Sequence, residues 1–452
     1  MLIAILKINP DTVQPEKYYG NYIYRMNVML NRHKASIFFL MLAAGLVFLS
    51  FNFNIKRQHA IIHADAEGYY MYLPAVFIYN GFEALPVETT SQFPRMEDSG
   101  KVFTRYTYGV ALLELPFFLG AHVLAVLSGA NADGYAPIYA SGIMMSGVFY
   151  AWLGLLFLFR EIKSRYDVWT GIFTVVCLLF GTNLYYYTIG APGMSHVYSF
   201  FLFAMTLFLT GKYYVKPTVR LALCIGFIAG LSVLIRPTNI LIGLLILGYD
   251  VYDADTLRKR ILLLKNNIFH IFLMALCAAV LLMPQMAYWQ YIADQWFMYS
   301  YGNQTFSNWN QPKIIEVLFD VQNGWLVYSP MAFIALIGLV FASMKKTMTA
   351  PAIWLILILS IYAFASWWSW CFCAAFGGRS FVELYALLAL PLAFFLNKIT
   401  SWNALVKAGI IFLLCVLIFY NLKLSYAYNG LWEGPDWTWQ SLKAVLLPIF
   451  EF

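Results

Sequence analysis

The sequence predicts an all-α polytopic membrane protein with about 11 transmembrane helices. Of its 452 residues, 62% are hydrophobic and only 11% are charged, whereas soluble domains average about 45–50% apolar and about 25% charged residues. Long apolar runs are separated by short loops that hold most of the basic residues. These observations exclude a soluble enzyme, a disordered protein and a nucleic-acid binder. The basic residues behind the net charge of +7 therefore report how the chain is oriented in a membrane.

The candidate spans begin after 36 polar residues, which we predict to be a cytoplasmic segment without a cleavable signal peptide. The first long apolar run, residues 37–54, then acts as a signal anchor. Further apolar runs lie at 107–128, 135–159, 168–187, 194–211, 219–235, 238–250, 268–290, 324–344, 351–370, 382–397 and 403–421.

Orientation decides which of these runs cross. Basic residues concentrate in cytoplasmic loops, and here they cluster at 160–165, 212–220, 258–265 and 345–346. Alternating crossings put all four clusters on the side of the basic N-terminus only if run 107–128, which contains Glu114, Pro116 and His122, does not cross. We therefore predict a juxtamembrane or re-entrant helix there, and eleven spans with the N-terminus inside and the C-terminus outside.

One region left two alternatives. Run 219–249 is either one long kinked helix or two short helices hinged at Arg236-Pro237, and we favour two because proline frees backbone groups that need protein or water partners. The predicted transmembrane domain is then 37–421. It carries a large first outer loop at 55–134 with juxtamembrane helices, and an interfacial tail at 422–452 on the outer face. The six cysteines show no zinc-site spacing and are expected to be inert thiols.

Polar residues near the predicted outer face are the candidate functional residues. Asp65 and Glu67 follow the first span, and Asp65 is either a general base or the cap of a helix in a solvated loop. Arg105 either snorkels to lipid headgroups or holds a phosphate.

Four more candidates lie at outer junctions between spans. His196, near Asn183, is either a structural residue at a helix start or part of a polar pocket wall. Arg236 lies between apolar runs, where it needs an anion or a carboxylate. Arg379 and Glu383 have the i, i+4 spacing of a helical ion pair. All these candidates fall on one side of the membrane, as the residues of a single site would.

The same stretches give the chain a resemblance to a known family. It resembles the glycosyltransferase C superfold, and more closely uncharacterised bacterial members related to the dolichyl-phosphate-mannose protein mannosyltransferase and aminoarabinose transferase group. The resemblance covers about residues 55–400 and lies in the order of short motifs. They include Asp65-Ala-Glu67-Gly-Tyr-Tyr, Arg105-Tyr-Thr-Tyr-Gly, Gly181-Thr-Asn183-Leu-Tyr-Tyr-Tyr, Ser195-His196, Arg236-Pro-Thr-Asn, Asn323-Gly-Trp-Leu-Val-Tyr328-Ser-Pro330 and Phe376-Gly-Gly-Arg379-Ser-Phe-Val-Glu383.

The chain departs from that family in three places. Many members carry Lys-Tyr-Pro or Lys-Pro-Pro where this chain has Arg105-Tyr106-Thr107, so a phosphate contact there is less well supported. Many carry Gly-Gly where this chain has Cys371-Phe-Cys373. We also expect no large periplasmic domain after the spans.

The resemblance implies a multi-pass enzyme of the bacterial inner membrane, with its active site on the extracytoplasmic face. It implies inverting transfer of a sugar from a polyprenyl-phosphate donor to a lipid, glycan or protein acceptor. Asp65 is the expected general base, and Glu67 shares that role, orients Asp65 or holds a cation. Arg105, Arg236 and Arg379 are phosphate candidates. His196, Asn183, Tyr328 and Glu383 are further substrate-binding candidates.

Two other classes stay open. A lipid or glycan transporter or flippase would place its polar residues near the membrane midplane. A non-catalytic membrane protein of envelope assembly would not need Asp65. We expect no cofactor, and a divalent cation bound by the two close carboxylates is the alternative.

Overall fold

The structure is a computed structural model. It describes residues 15–447, except residues 373 and 431, and it describes side chains from residue 33 onward. All regular elements in these ranges are helices, and the only extended pairing among them is an isolated bridge between Arg95 and Val102. The predicted all-α fold is confirmed.

Nineteen α-helices follow one another in the described chain. The first ten are α1 Pro15–Asn54, α2 Asp65–Tyr70, α3 Tyr72–Phe77, α4 Gly109–Ser128, α5 Pro137–Lys163, α6 Val168–Gly181, α7 Leu184–Ile189, α8 Ser195–Val215, α9 Val219–Ile235 and α10 Ile242–Gly248. The rest are α11 Ala254–Asn266, α12 Ile268–Ala293, α13 Ile314–Phe319, α14 Trp325–Tyr328, α15 Met331–Met344, α16 Ala350–Ser366, α17 Tyr385–Ile399, α18 Ala404–Ala427 and α19 Trp439–Leu446. Short 3₁₀ helices cover Gln58–Ala60, Pro237–Leu241 and Arg379–Leu384.

Many of these helices are suited to a membrane. Six helical stretches of the described chain are long and apolar enough to cross one: His33–Asn54, α4, α5, α12, Arg379–Ile399 and α18. Five shorter apolar helices accompany them, namely α6, α9, Pro237–Gly248, α15 and α16. The chain is a multi-pass helical membrane protein, and the number of eleven crossings stays a prediction.

The predicted basic loops meet at one end of the helix bundle. Arg165, after α5, pairs with Asp250, after α10, at 3.1 Å. The backbone N–H of Asp250 donates to Thr349, between α15 and α16, at 3.2 Å. Arg260 of α11 donates to the backbone carbonyl of Tyr249. This arrangement is the one that the loop charges predict, and we call this part of the molecule the basic end.

Run 219–249 is broken where the hinge was predicted. Helix α9 stops at Ile235, Arg236 is extended, and a 3₁₀ turn starts at Pro237 before α10. Tyr214 lies near the end of α8, just before α9 begins, and its hydroxyl donates to the carbonyl of Ile246 in α10 at 2.7 Å. The two arms, α9 and α10, therefore form a hairpin with both ends at the basic end, and its tip carries Arg236 to the opposite end of the bundle.

Helix α4 is long and apolar enough to cross a membrane, although we predicted that it does not. It packs antiparallel against the first half of α5. The Tyr150 hydroxyl donates to the carbonyl of Leu113, and His122 lies 2.6 Å from the hydroxyl of Tyr139. Helix α4 thus lies beside the half of α5 that is remote from the basic end. This placement agrees with a juxtamembrane helix, and the absence of a crossing stays a prediction.

The C-terminal region differs from expectation in the place where its long helix ends. Helix α18 extends to Ala427, so the predicted tail 422–452 starts inside a helix, and residues 448–452 lie outside the described chain. Farther along, the Trp437 indole donates to the hydroxyl of Tyr328 at 2.8 Å, which joins the tail to the bundle.

Cys371 is disulfide-bonded and is not the free thiol we expected, and Cys373 lies outside the described residues.

Candidate active site

A cavity of about 610 Å³ opens at the end of the bundle where the α9–α10 hairpin has its tip. Its polar wall includes residues from the first outer loop, from α8, from the hairpin, from the segment before α17 and from the tail after α18: Asp65, Gln92, Arg105, Tyr106, Ser195, His196, Arg236, Arg379 and Glu433. Five of the nine predicted site residues therefore line one chamber. They are Asp65, Arg105, His196, Arg236 and Arg379.

Asp65 is held by three side chains. The Tyr106 hydroxyl donates to Oδ1 at 2.5 Å, and the Gln92 amide donates to the same oxygen at 3.1 Å. Oδ2 lies 3.2 Å from Nη1 of Arg379. Asp65 is the first residue of α2, but its side chain caps no backbone N–H, so the helix-cap interpretation of this residue is wrong.

The local fold around α2 presents this carboxylate to the cavity. Ala64 takes a positive φ of 51°, a conformation that costs an alanine roughly 1–3 kcal/mol, and turns the chain into α2. Gly68 faces the ring of Tyr106 so closely that a Cβ there would collide with it. Burial, and next the Asp65 carboxylate, raise the pKa of Tyr106 well above its usual value. Tyr106 is therefore a neutral hydrogen-bond donor to Asp65.

Arg379 and Glu383 do not pair with each other as their spacing suggested. They lie on a 3₁₀ helix, where three residues complete a turn and positions i and i+4 no longer share a face. Arg379 pairs with Asp65, whereas Glu383 pairs with Nη1 of Arg236 at 2.7 Å. The predicted i, i+4 ion pair is wrong for this geometric reason.

Arg236 and His196 of the cavity wall form a compact group with Glu383. Glu383 and His196 are almost fully buried, with 2% and 4% of their side chains exposed. Nη1 of Arg236 also lies 3.3 Å from Nδ1 of His196. Because a guanidinium can only donate, Nδ1 accepts and carries no proton, so the proton of a neutral imidazole is on Nε2.

Arg105 differs from the other two cavity arginines. Its guanidinium donates to the side-chain oxygen of Gln304 at 3.0 Å and to the backbone carbonyl of Ser91 at 3.3 Å. No carboxylate of the described chain lies within ion-pair distance of it. Its charge is therefore not neutralised by the protein.

The remaining predicted residues do not line the cavity. Glu67 is half-buried, and burial followed by the nearby Glu88 carboxylate raises its pKa. Asn183 is fully buried and accepts a hydrogen bond from Tyr385 at 2.6 Å. Tyr328 is fully buried and donates to the carbonyl of Val321. Asn183 therefore joins the start of α7 to α17, whereas Tyr328 holds the loop before α14.

An aromatic wall lies beside the polar groups. Tyr301 and Phe306 pack edge-to-face on Trp367, with ring centroids 5.8 and 4.9 Å away. The segment 300–313 is joined to the end of α16 and the loop after it by backbone hydrogen bonds, including Asn308 N–H to Ser366 and Trp368 N–H to Thr305.

Sequence reasoning missed two residues that contact Asp65. Tyr106 follows Arg105 in a motif that we singled out, and that position was its only signal. Gln92 is an isolated amide in a long loop, and nothing in the sequence distinguishes it.

A metal site can be sought from the ligand residues. No group of three or more His, Cys, Asp or Glu residues that could hold a metal ion occurs among residues that the structure describes. Next to Asp65 the other side chains are an arginine, a phenol and an amide.

Of the comparisons with known proteins, the one with solved structures finds proteins similar to this chain. No family model matches the chain, and no curated protein matches it. The chain is similar to archaeal oligosaccharyltransferase AglB from Archaeoglobus fulgidus in complex with an inhibitory peptide and a dolichol-phosphate. That match has a TM-score of 0.47 and 11% identity over 86% of this chain. It is also similar to the Archaeoglobus fulgidus oligosaccharyltransferase in the apo form, with a TM-score of 0.48 and 13% identity over 88% of this chain. The chain covers 55% and 58% of the lengths of those two proteins.

Proposed function

We propose that the protein is a membrane glycosyltransferase that moves a sugar from a polyprenyl-phosphate donor to an acceptor hydroxyl, with Asp65 as general base. The observation that carries the proposal is the single cavity in which a held carboxylate faces arginines of the opposite charge. Sugar transfer from a phosphate needs these two kinds of group. One accepts the proton of the acceptor, and the other stabilises charge on the leaving phosphate.

The two carboxylate oxygens of Asp65 have different roles in the transfer step. Oδ1 is held by Tyr106 and Gln92, so Oδ2 takes the proton of the acceptor hydroxyl. The acceptor oxygen forms a bond to C1 of the sugar while the bond from C1 to the phosphate oxygen breaks. The departing polyprenyl phosphate keeps that electron pair, and inversion at C1 follows from attack opposite the leaving group.

The phosphate contacts are not equivalent. Arg105 has no carboxylate partner, and Arg379 has one that is partly exposed at the cavity wall. A guanidinium fork matches two phosphate oxygens, and these two residues are the proposed phosphate contacts. Arg236 faces the buried Glu383, so we propose that it acts through His196, whose Nε2–H can donate to the donor.

The dimensions and lining of the cavity suit this substrate class. Its volume of about 610 Å³ lies within the roughly 300–1,000 Å³ typical of small-molecule sites. The Tyr301, Phe306 and Trp367 rings offer apolar faces to a sugar or to the first isoprene units. The basic end lies opposite, and basic loops face the cytoplasm, so we propose an extracytoplasmic site. Transfer without a cofactor or metal ion stays a prediction.

The decisive experiment is transfer of radiolabelled sugar in membranes that contain the full chain. A panel of polyprenyl-phosphate sugars is supplied, and label is followed in lipid, glycan and protein fractions. We expect label to leave at least one donor only when wild-type protein is present. A chain that moves labelled lipid between leaflets without transferring sugar would instead be a flippase. A chain that does neither, although correctly inserted, would fit a non-catalytic role.

A further inference from the structure

The two oxygens of Asp65 are bound in different ways. Oδ1 accepts from two neutral donors, Tyr106 and Gln92, which belong to the first outer loop. Oδ2 is bound by one charged donor, Arg379, from the segment before α17. If Arg379 moves away, Oδ1 stays fixed by its two hydrogen bonds. Oδ2 can therefore change its partner while Asp65 stays in place, and Oδ1 cannot.

The ion pair on Oδ2 lies where a ligand can reach it. The side chains of Arg379 and Asp65 are 18% and 26% exposed, and both line the cavity. The phosphodiester of a polyprenyl-phosphate sugar carries one negative charge over two free oxygens, as a carboxylate does, and fits the guanidinium fork equally well. A phosphate that enters the cavity can thus compete with Asp65 for Arg379.

The neighbouring ion pair cannot exchange in the same way. Glu383 is 2% exposed, and its Oε2 has no hydrogen bond. Removal of Arg236 from Glu383 would leave a buried charge without compensation, which is strongly destabilising. Of these two ion pairs, the pair between Asp65 and Arg379 is therefore the one that a substrate can open.

We propose that Arg379 is a positioning residue for the base as well as a phosphate contact, and that the donor must bind before the acceptor. This inference rests on the proposed function. In the empty site, Arg379 occupies Oδ2 and blocks the acceptor hydroxyl. When the donor phosphate engages Arg379, Oδ2 loses its partner and accepts the hydroxyl instead. Oδ2 is therefore available to a hydroxyl only while a phosphate occupies Arg379.

The exchange predicts a coupling that can be measured without turnover. Farnesyl phosphate serves as a short lipid-phosphate probe, and its affinity for the full chain in nanodiscs is measured by titration calorimetry. Asp65→Asn frees Arg379 and should tighten binding by about tenfold, as expected for residues in direct contact. In the Arg379→Gln background, the same Asp65→Asn change should alter affinity less than about twofold.

A matched control separates exchange from simple loss of negative charge. Glu433 also lines the cavity, and its carboxylate accepts a hydrogen bond from the backbone N–H of Ala374. Glu433→Gln removes the same charge but leaves Arg379 paired, so binding should tighten less than about twofold. This comparison retains Arg379 and stays decisive if Arg379→Gln does not fold.

Each alternative outcome has a distinct meaning. Equal tightening by Asp65→Asn and Glu433→Gln overturns the exchange, as does tightening by Asp65→Asn that persists without Arg379. Both results leave the proposed function intact. Failure of farnesyl phosphate to bind any variant contradicts the proposed function and the exchange together. Normal coupling without any sugar transfer in membranes contradicts the proposed function alone.

Discussion

Arg165 at the basic end and Arg379 at the cavity are both partly buried arginines that face carboxylates, but they are bound very differently. Arg165 donates to Glu161, to both oxygens of Asp250 and to the hydroxyl of Tyr249, at distances between 2.5 and 3.2 Å. Arg379 has one side-chain ion pair, to Asp65 at 3.2 Å. A guanidinium carries five N–H donors, so Arg165 is nearly saturated and Arg379 is not.

This difference separates a structural arginine from one that is available to a ligand. The cluster around Arg165 joins α5, the segment after α10 and the loop before α16. Among the residues that the structure describes, Asp65 is the only side chain that pairs with Arg379, so other guanidinium donors stay available beside a held carboxylate. The comparison predicts that changes at the cavity end alter rate, whereas changes at the basic end alter stability.

The largest effect is expected at Asp65. Asp65→Asn keeps the shape of the side chain and can still accept from Tyr106, but it cannot take a proton. Sugar transfer should fall by about 10²–10⁴-fold in protein that inserts and folds normally. Initial rates in membranes, normalised to folded protein, measure this change. A rate within about threefold of wild type, against that 10²-fold minimum, would remove Asp65 from the role of base.

Arg105→Lys should cost about 10²-fold in kcat, by analogy with the loss of one donor to a developing negative charge. The lysine keeps the charge but loses the planar fork. Arg95→Lys is the matched control, because Arg95 belongs to the same outer loop and donates only to backbone carbonyls, those of Glu83, Leu85 and Gly100. If both variants lose activity equally, Arg105 has no special contact with the phosphate.

Tyr106→Phe should lower kcat by about tenfold, because a hydrogen bond to a charged group contributes about 1.5–3 kcal/mol. The donor KM should change little, since the phosphate contacts lie elsewhere. Tyr72→Phe removes a hydroxyl that donates to the backbone carbonyl of the same Tyr106 at 2.7 Å. That control should lose some stability and keep its kcat. A similar loss of kcat in both variants would assign Tyr106 a role in packing alone.

Arg165→Gln tests the basic end. It breaks the bonds to Glu161 and Asp250 and should lower the melting temperature by about 2–4 °C for each kcal/mol lost. Activity per folded molecule should stay within about twofold of wild type, because such distant sites are usually independent. Thermal unfolding and transfer rates on the same preparation give both values. Lost activity without lost stability would reverse the comparison.

Glu67→Gln should have the smallest effect, because Glu67 does not line the cavity. Folding raises its pKa, so the native state of the wild type is penalised as pH rises from the unfolded pKa to the folded pKa. The variant should match wild type at low pH and gain relative stability above that window. Melting temperatures across pH measure this, and a strong loss of transfer activity would instead place Glu67 in the catalytic machinery.

The sequence predicted those parts of the structure that depend on local pattern. Apolar runs located the helices, Pro237 located the hinge, and loop charge located the basic end. Asp65 and Arg236 stood out because charge near a membrane needs a reason. Partners were harder to predict. Glu383 pairs with Arg236 because the segment 379–384 is a 3₁₀ helix, and its neighbours come from distant parts of the chain. Gln92 reaches Asp65 through the path of a long loop, which no residue pattern encodes.

The backbone hydrogen bonds that attach segment 300–313 have an evolutionary consequence. Because main-chain groups hold this wall of the cavity in place, its side chains can be exchanged without detaching it. Substitutions at Tyr301 and Phe306 can then reshape the chamber while Asp65 and the arginines keep their positions. The chain thus separates an adaptable surface from a fixed reaction centre. Directed evolution toward new sugars or acceptors would best begin at those two aromatic positions.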